Sequence, residues 1–337
     1  MDAITQPIQL SVIVAAYNIE HSIDTIFEHI LHSHKLDALE VIIVNDGSSD
    51  ATLQKAQDYR NRYPKLVRVI DKENGGHGST LSAGFKLAKG RYCRPLDGDD
   101  WLDENGLDKL IDFLSTSDMD MVLSDFSRYN IDTKRETIAM NPVPTGEHHD
   151  FHTLIETQTL LPYHGLVYKT EILRAIPELD HHCFYVDNEY DAYPLPYVKT
   201  WSYLPGVVYI HTVGNAEQST SLHSLVRNIN NIATVCFSLL KYRSEHTTIG
   251  DSSDLIELYA LNAANLFTRA SFGLPASEGK DRLQRFYKRL HQLYPDTYKH
   301  GLTHLSKLFY IMRRSNCQGY GLMRQMVDRL NRKSLIW

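Results

Sequence analysis

Two stretches of this chain, Ser11-Val12-Ile13-Val14-Ala15-Ala16 and Glu40-Val41-Ile42-Ile43-Val44-Asn45, are apolar at nearly every position and rich in β-branched residues. A strand with one wet face alternates apolar and polar side chains. An unbroken run must be covered on both faces, which is the condition of a parallel sheet packed between helices. Residues 66–70 and 119–123 fit as further strands. Between them, 20–33, 50–62, 78–89 and 104–116 have helical character, and Ser48, Ser49 and Asp50 offer caps for the second helix. Strand and helix alternating at this pitch predict an α/β fold, a doubly wound, mostly parallel sheet. Ligands of such sheets bind in the crevice beyond the carboxyl ends of the strands. Tyr17 and Asn18 follow the first strand, Asp46 the second, and Asp97-Gly98-Asp99-Asp100 comes after Arg91-Tyr92-Cys93-Arg94-Pro95. Three strand ends bring polar or acidic groups to one edge, as a nucleotide and metal site requires.

The pattern changes beyond about residue 220. Leu222, Leu225, Val226, Ile229, Ile232, Ala233, Cys236 and Leu240 recur at helical spacing, as do Leu255, Leu258, Tyr259, Ala263 and Leu266. Leu302, Leu305, Leu308 and Met312 form a third stripe. The expected organisation is a catalytic domain over 1–220 and a helical module over 221–337. A net charge of −6 offers no footprint for a nucleic acid. Cys93, Cys183, Cys236 and Cys317 form no Cys-x-x-Cys pair, which suits a reducing compartment. The start lacks the basic flank and apolar stretch of a signal peptide, and no apolar run is long enough to cross a bilayer. The expected location is cytoplasmic, with peripheral contact at the inner face of the cell membrane left open.

Four motifs occur in order: Ala16-Tyr17-Asn18, Val44-Asn45-Asp46-Gly47-Ser48-Ser49-Asp50, Asn74-Gly75-Gly76-His77-Gly78 and Leu96-Asp97-Gly98-Asp99-Asp100-Trp101. Together they resemble family 2 glycosyltransferases of the GT-A fold (Rossmann-like), over roughly the first two thirds of the chain. The resemblance implies an inverting enzyme that moves a hexose or N-acetylhexosamine from a UDP-sugar to a hydroxyl of a glycan, glycopolymer or lipid-linked acceptor. It divides 1–220 into a nucleotide-sugar part, about 8–125, and an acceptor side, about 126–220. It assigns Asp97 to the ribose or metal shell and Asp99 to the metal, Mn2+ or Mg2+. A hard divalent cation on carboxylate oxygens neutralises the charge that develops on the diphosphate. Tyr17 and Asp46 look like the base-recognition pair, one stacking on uracil, the other accepting from its ring N–H. Ala15, where relatives often carry proline, counts with the donor-binding positions. So do Gly76 and His77, in a loop whose backbone N–H groups can face phosphate or sugar hydroxyls. Ser82 stands where relatives carry asparagine.

An inverting transferase needs a base for the acceptor hydroxyl. Asp187, in Cys183-Phe184-Tyr185-Val186-Asp187-Asn188-Glu189, resembles that family position, with Val186 in place of glutamate and with Glu189 and Asp191 as rivals. His164, in Leu161-Pro162-Tyr163-His164-Gly165, is the acceptor-binding candidate. The segment from His211 to Ser221 resembles the family's mobile loop over the diphosphate. There Gln218, Ser219 and Ser221 can donate to phosphate oxygens, and His211 either completes the metal shell or is structural. The run His148-His149-Asp150-Phe151-His152 lacks the paired spacing of zinc sites. Six basic residues after Ile311, interleaved with Met323, Met326, Val327 and Leu330, suit a surface helix touching anionic lipid, a polyanionic acceptor or another subunit, or the outer face of a packed helix. The alternatives to catalysis of glycosyl transfer are a non-catalytic sugar-nucleotide-binding module and a nucleotidyltransferase; the latter wants a basic, Gly-rich phosphate loop after the first strand, which Ala15-Ala16-Tyr17-Asn18 does not offer.

Overall fold

The computed structural model describes residues 7–140, 143, 149–157, 159–214, 219, 221–246, 252–300 and 307–331. The chain divides into two compact units, Met1–Asn215 and Ala216–Trp337.

The first unit is built on one mixed sheet. Its strands are β1 (Leu10–Ala16), β2 (Leu39–Asp46), β3 (Val67–Lys72), β4 (Tyr92–Asp97), β5 (Trp101–Leu102), β6 (Met121–Asn130), β7 (Arg135–Ala139), β8 (His149–Asp150), β9 (Leu166–Lys169) and β10 (Thr200–Val213). The order is β3-β2-β1-β4-β9-β6-β10-β5, with β7 on β6 and β8 on β10. β1 pairs in parallel with both β2 and β4, and β2 with β3. β9 is antiparallel to both β4 and β6, so β6 and its parallel partner β10 run the same way as the first four strands. The carboxyl ends of β1, β2, β4, β6 and β10 therefore share one edge.

The two apolar runs are the central strands, as their lack of alternation requires. Every residue of β2 is buried, and β1 is buried at all but Ala15. Helices α1 (Ile23–Leu31), α2 (Thr52–Arg62), α3 (Gly76–Leu87) and α4 (Glu104–Thr116) follow successive strands. Ile26, Phe27 and Ile30 of α1 and Leu107, Leu110 and Leu114 of α4 join Val12, Val14 and Val41 in one core. Three short helices, α5 (Phe151–Ile155), α6 (Thr170–Ala175) and α7 (Asp187–Ala192), lie between β8 and β10 in the chain. The antiparallel β9 and the short β5, β7 and β8 have no counterpart in the sequence expectation, because strands of two to five residues leave too little pattern to read.

Helix α4 shows how closely this layer is fitted. Asp103 caps it by accepting from Gly106 N–H at 2.7 Å. A Cβ at Gly106 would meet the Val207 carbonyl of β10 at 2.0 Å.

The second unit is helical: α8 (Leu222–Arg227), α9 (Ile229–Glu245), α10 (Ser252–Gly273), α11 (Ala276–Leu293), α12 (Pro295–His300), α13 (Lys307–Arg314) and α14 (Tyr320–Asn331). Two expected stripes are its core: Leu225, Ile229, Ile232, Cys236 and Leu240, then Leu255, Leu258, Tyr259 and Ala263, are buried. Of the third, Met312 is buried, while Leu302 and Leu305 lie outside the described residues. The basic end is partly spent on packing: Arg324 donates to Phe272 O at 3.2 Å, and Arg313 lies over the Tyr298 ring. Val327 is buried while Leu322 and Met326 are exposed. No described helix is long and apolar enough to cross a membrane.

Gly106→Ala is expected to destabilise the first unit by ~1–3 kcal/mol through overpacking against β10. Equilibrium unfolding in urea checks this; a midpoint like that of the wild type would contradict the close approach.

Candidate active site

The cleft at the shared edge starts with two loops that hold each other. Asn18 N–H donates to Ser48 Oγ at 3.0 Å and Ile19 N–H to Thr52 Oγ1 at 2.7 Å. In return, Ser49 N–H donates to Asn18 Oδ1 at 2.9 Å. Glu20 N–H reaches Asp50 Oδ2 at 3.1 Å. This knitting leaves the Tyr17 ring 54% exposed above the end of β1. Ala15 sits in register with Val44 and Asp97, between β2 and β4.

Asp46, at the end of β2, is only 3% exposed. Its Oδ1 accepts from Lys72 Nζ and from Gly75 N–H, and its Oδ2 from Gly76 N–H at 2.8 Å. The Gly75 and Gly76 N–H groups, expected to face phosphate or sugar hydroxyls, are thus bound internally. Three of the about four acceptor sites of a carboxylate are taken, and one on Oδ2 is left. The position needs Gly76, whose φ is +81° and whose added Cβ would meet His182 N at 3.0 Å.

The acidic run contains three carboxylates with three fates. Asp97 Oδ1 accepts from the buried Tyr163 hydroxyl at 2.8 Å, with His77 Nε2 at 3.7 Å. Burial raises its pKa, against the opposing charge of His77. Asp100 is buried and its oxygens are filled. Oδ2 accepts from Tyr209 Oη at 2.7 Å and lies 3.2 Å from His211 Nδ1; Oδ1 accepts from Thr212 N–H at 2.7 Å and Thr212 Oγ1 at 3.0 Å. Burial alone would raise its pKa, but the hydrogen bond and charge of His211 and the Thr212 amide bring it below the ordinary range. Asp99 is exposed, and apart from its own backbone N–H its carboxylate has no hydrogen-bond donor among the described residues. Partial desolvation and the like charges of Asp100 and Asp97 push it up to about 6.

This pattern tests the fit to a metal. By proximity alone, the ligand atoms that gather within 4.8 Å among the described residues are those of Asp100, His164 and His211. Availability decides differently. Asp100 has no oxygen to spare, and it orients His211 through Nδ1, leaving Nε2 open, the usual arrangement around a metal-bound histidine. Among the described residues the groups left open are Asp99 and His211, and a carboxylate oxygen with an imidazole nitrogen is a chemistry that fits a divalent transition-metal ion. Burial would lower the His211 pKa, but its hydrogen bond to Asp100 and the charges of Asp100, Asp97 and Asp99 raise it.

His164 is turned inward. Its ring lies against Phe126, Tyr209 and His211, with centroids 5.1, 4.9 and 4.2 Å away. Burial and the charges of His211 and Arg94 lower its pKa to about 3, so it is neutral. It is half-buried and packs against His211.

The rivals for the base separate by burial. Glu189 is wholly buried, accepts from Asp180 N–H at 2.8 Å, and is pushed up to about 9 by desolvation. Asp191 is buried too and held protonated by desolvation and the Asp187 charge. Asp187 alone is half-exposed. Burial raises its pKa, and the charge of His77 opposes that rise. His77 and Tyr163 act electrostatically on both Asp97 and Asp187, so these four residues form one junction. Tyr163 was not singled out from the sequence; a tyrosine between proline and histidine carries no signal of its own. Val186, where the family carries glutamate, is 1% exposed and belongs to the core.

Gln218 lies outside the described residues. Ser221 caps α8 by accepting from Ser224 N–H at 3.2 Å. His148 is also outside them, while His149 stacks on Trp201 at 4.7 Å and Asp150 caps α5.

A mixed sheet of this order with an aspartate run at the end of β4 defines a GT-A fold. The structure aligns with TarS residues 1–349 of S. aureus, solved in complex with UDP-GlcNAc, at a TM-score of 0.67 and 18% identity, covering 98% of this chain and 93% of that one. Residues 11–176 match the profile of Glycosyl transferase family 2, and the chain belongs to that family. It is 33% identical over 125 residues to the uncharacterized glycosyltransferase EpsJ of Bacillus subtilis, 37% of this chain and 36% of EpsJ. An uncharacterized glycosyltransferase of Haemophilus influenzae is 25% identical over 275 residues, 76% of this chain and 82% of that protein. The match spans about a third of the length of the first curated relatives.

Two measurements follow from these pKa directions. Cation binding must displace a proton from His211 and, near pH 6, from Asp99, so Mn2+ affinity is expected to climb between pH 5.5 and 7.5. Mn2+ titration followed by electron paramagnetic resonance checks it, and His211→Gln should flatten the climb. Glu189, raised in the folded state, contributes stability below pH 4.5 that is lost as pH rises towards 9. Glu189→Gln should therefore melt higher than the wild type at pH 8.5 and equal to it near pH 4.5; a constant difference across that window would refute the buried acid.

Proposed function

We propose that the chain is an inverting glycosyltransferase. It moves a hexose or N-acetylhexosamine from a uridine diphosphate donor to a hydroxyl of a glycan, glycopolymer or lipid-linked acceptor, with a divalent cation assisting. The observation that carries this reading is the division of labour in the cleft. An open carboxylate and imidazole, Asp99 and His211, stand on one side, and one half-exposed carboxylate, Asp187, on the other, joined through His77, Tyr163 and Asp97. The fold shared with TarS, whose complex holds UDP-GlcNAc, supports the choice of donor.

The base of the nucleotide stacks on the exposed Tyr17 ring, and its N–H meets the remaining acceptor site of Asp46. The ribose lies towards Asp97, whose carboxylate Tyr163 holds in place. A cation on Asp99 and His211 supplies positive charge to the leaving diphosphate. Asp187 accepts the proton of the acceptor hydroxyl as its oxygen attacks the anomeric carbon from the face opposite the diphosphate, which inverts the centre. Burial raises the Asp187 pKa, which makes it a stronger base. A non-catalytic binding module would have no use for that carboxylate.

Asp187→Asn is expected to lower kcat by roughly 10²-fold or more with donor binding retained. Asp99→Ala should abolish the dependence of UDP release on Mn2+. In the wild type, kcat/KM should fall on the acid side at a pH above the ordinary aspartate value of about 3.9, because only the ionised base works. Unchanged UDP release by either variant, assayed with a competent acceptor, would sink the proposal.

A further inference from the structure

Arg94 lies in the middle of β4 and is wholly buried. No carboxylate among the described residues pairs with it. Its Nη2 donates to the His164 carbonyl at 2.8 Å, and its guanidinium sits 5.1 Å from the centre of the Tyr209 ring. The Nε and Nη1 groups have no hydrogen-bond partner among the described residues. Burying a cation with unpaired donors is costly, and an apolar side chain of similar volume in its place is commonly neutral or stabilising. Stability therefore gives no reason for arginine here.

Its contacts supply one. The carbonyl it holds belongs to the turn Tyr163-His164-Gly165, one residue from the phenol that binds Asp97 Oδ1 at 2.8 Å. The ring it faces, Tyr209, donates to Asp100 Oδ2 at 2.7 Å, and the same hydroxyl accepts from Asp97 N–H at 3.2 Å. One guanidinium thus touches both supports of the acidic run: the turn from the acceptor side and the β10 tyrosine. A lysine cannot do this, because its single ammonium lacks the planar fork that spans two directions and lies flat against a ring.

We propose that Arg94 is a positioning residue. It locks the Tyr163–His164 turn to Tyr209, so that Asp97 is presented to the donor already oriented, at the expense of fold stability. The inference rests on the reading of Asp97 as a donor-side group.

The test is a double-variant cycle on the full chain: wild type, Arg94→Met, Tyr163→Phe and the two together. Calorimetric affinity for UDP with Mn2+ is measured beside thermal unfolding. Arg94→Met should unfold at the wild-type temperature or above it, yet bind UDP–Mn2+ at least tenfold more weakly. The double variant should bind no more weakly than Arg94→Met, because both changes release the same carboxylate. An affinity like that of the wild type, or losses that multiply in the double variant, would overturn the proposal. So would a fall in unfolding temperature, which would mark Arg94 as ordinary core. Arg94→Lys, which keeps the charge and loses the fork, should show the same loss of UDP–Mn2+ affinity, and wild-type affinity in that variant would likewise overturn the proposal. A wild type that does not bind UDP–Mn2+ would refute the donor reading itself and is seen first.

Discussion

The cleft depends on one buried carboxylate. Asp100 is 1% exposed and would be expensive in that state if its oxygens were not filled by Tyr209, His211 and Thr212. All three partners come from the last turns of β10, whereas Asp100 follows β4. Two strands separated by more than a hundred residues are thereby pinned at their carboxyl ends. The same bonds set the tautomer and aim of His211, so the clamp that closes the sheet edge also prepares the imidazole that faces Asp99. Fold and site share a single set of hydrogen bonds.

Neighbouring aspartates acquire opposite properties from this arrangement. Asp100 is held ionised by its donors, while Asp99, with only its own backbone N–H, feels desolvation and the two charges beside it and rises to about 6. An unpaired carboxylate among like charges is a standing demand for a cation. The adjacent imidazole is subject to the same field, which raises its own pKa. Both groups hold protons more readily than in water, and a divalent ion is the ligand that relieves the repulsion without protonating the pair.

The segment around α7 is organised by desolvation. Asp187, Glu189 and Asp191 lie within five residues of one another, and burial sorts them: Glu189 and Asp191 are buried with raised pKa values, and Asp187 is half-exposed. His77 and Tyr163 then tie that one to Asp97. His77 comes from the start of α3, Tyr163 from the turn before β9, and Asp187 from α7, so the junction exists only where three loops meet.

How much of this was legible in the residues divides along one physical line. Unbroken apolar runs require burial on both faces, so β1, β2 and the crevice beyond them follow from local pattern, as do Tyr17 and the acidic run at strand ends. The helical stripes after residue 220 are legible for the same reason. What local pattern does not carry is partnership. Nothing beside Asp46 in the sequence announces that it binds Lys72 and the Gly75–Gly76 amides. Nothing beside His164 announces that its ring packs against His211, nor anything beside Arg94 that its guanidinium reaches the His164 carbonyl. The sequence by itself determined which backbone segments must be covered and which carboxylates would stand at their ends, because burial of apolar surface is a property of each segment. Only the tertiary structure decided which of those carboxylates are filled, neutral or open, because desolvation and hydrogen bonding depend on neighbours brought in from distant parts of the chain.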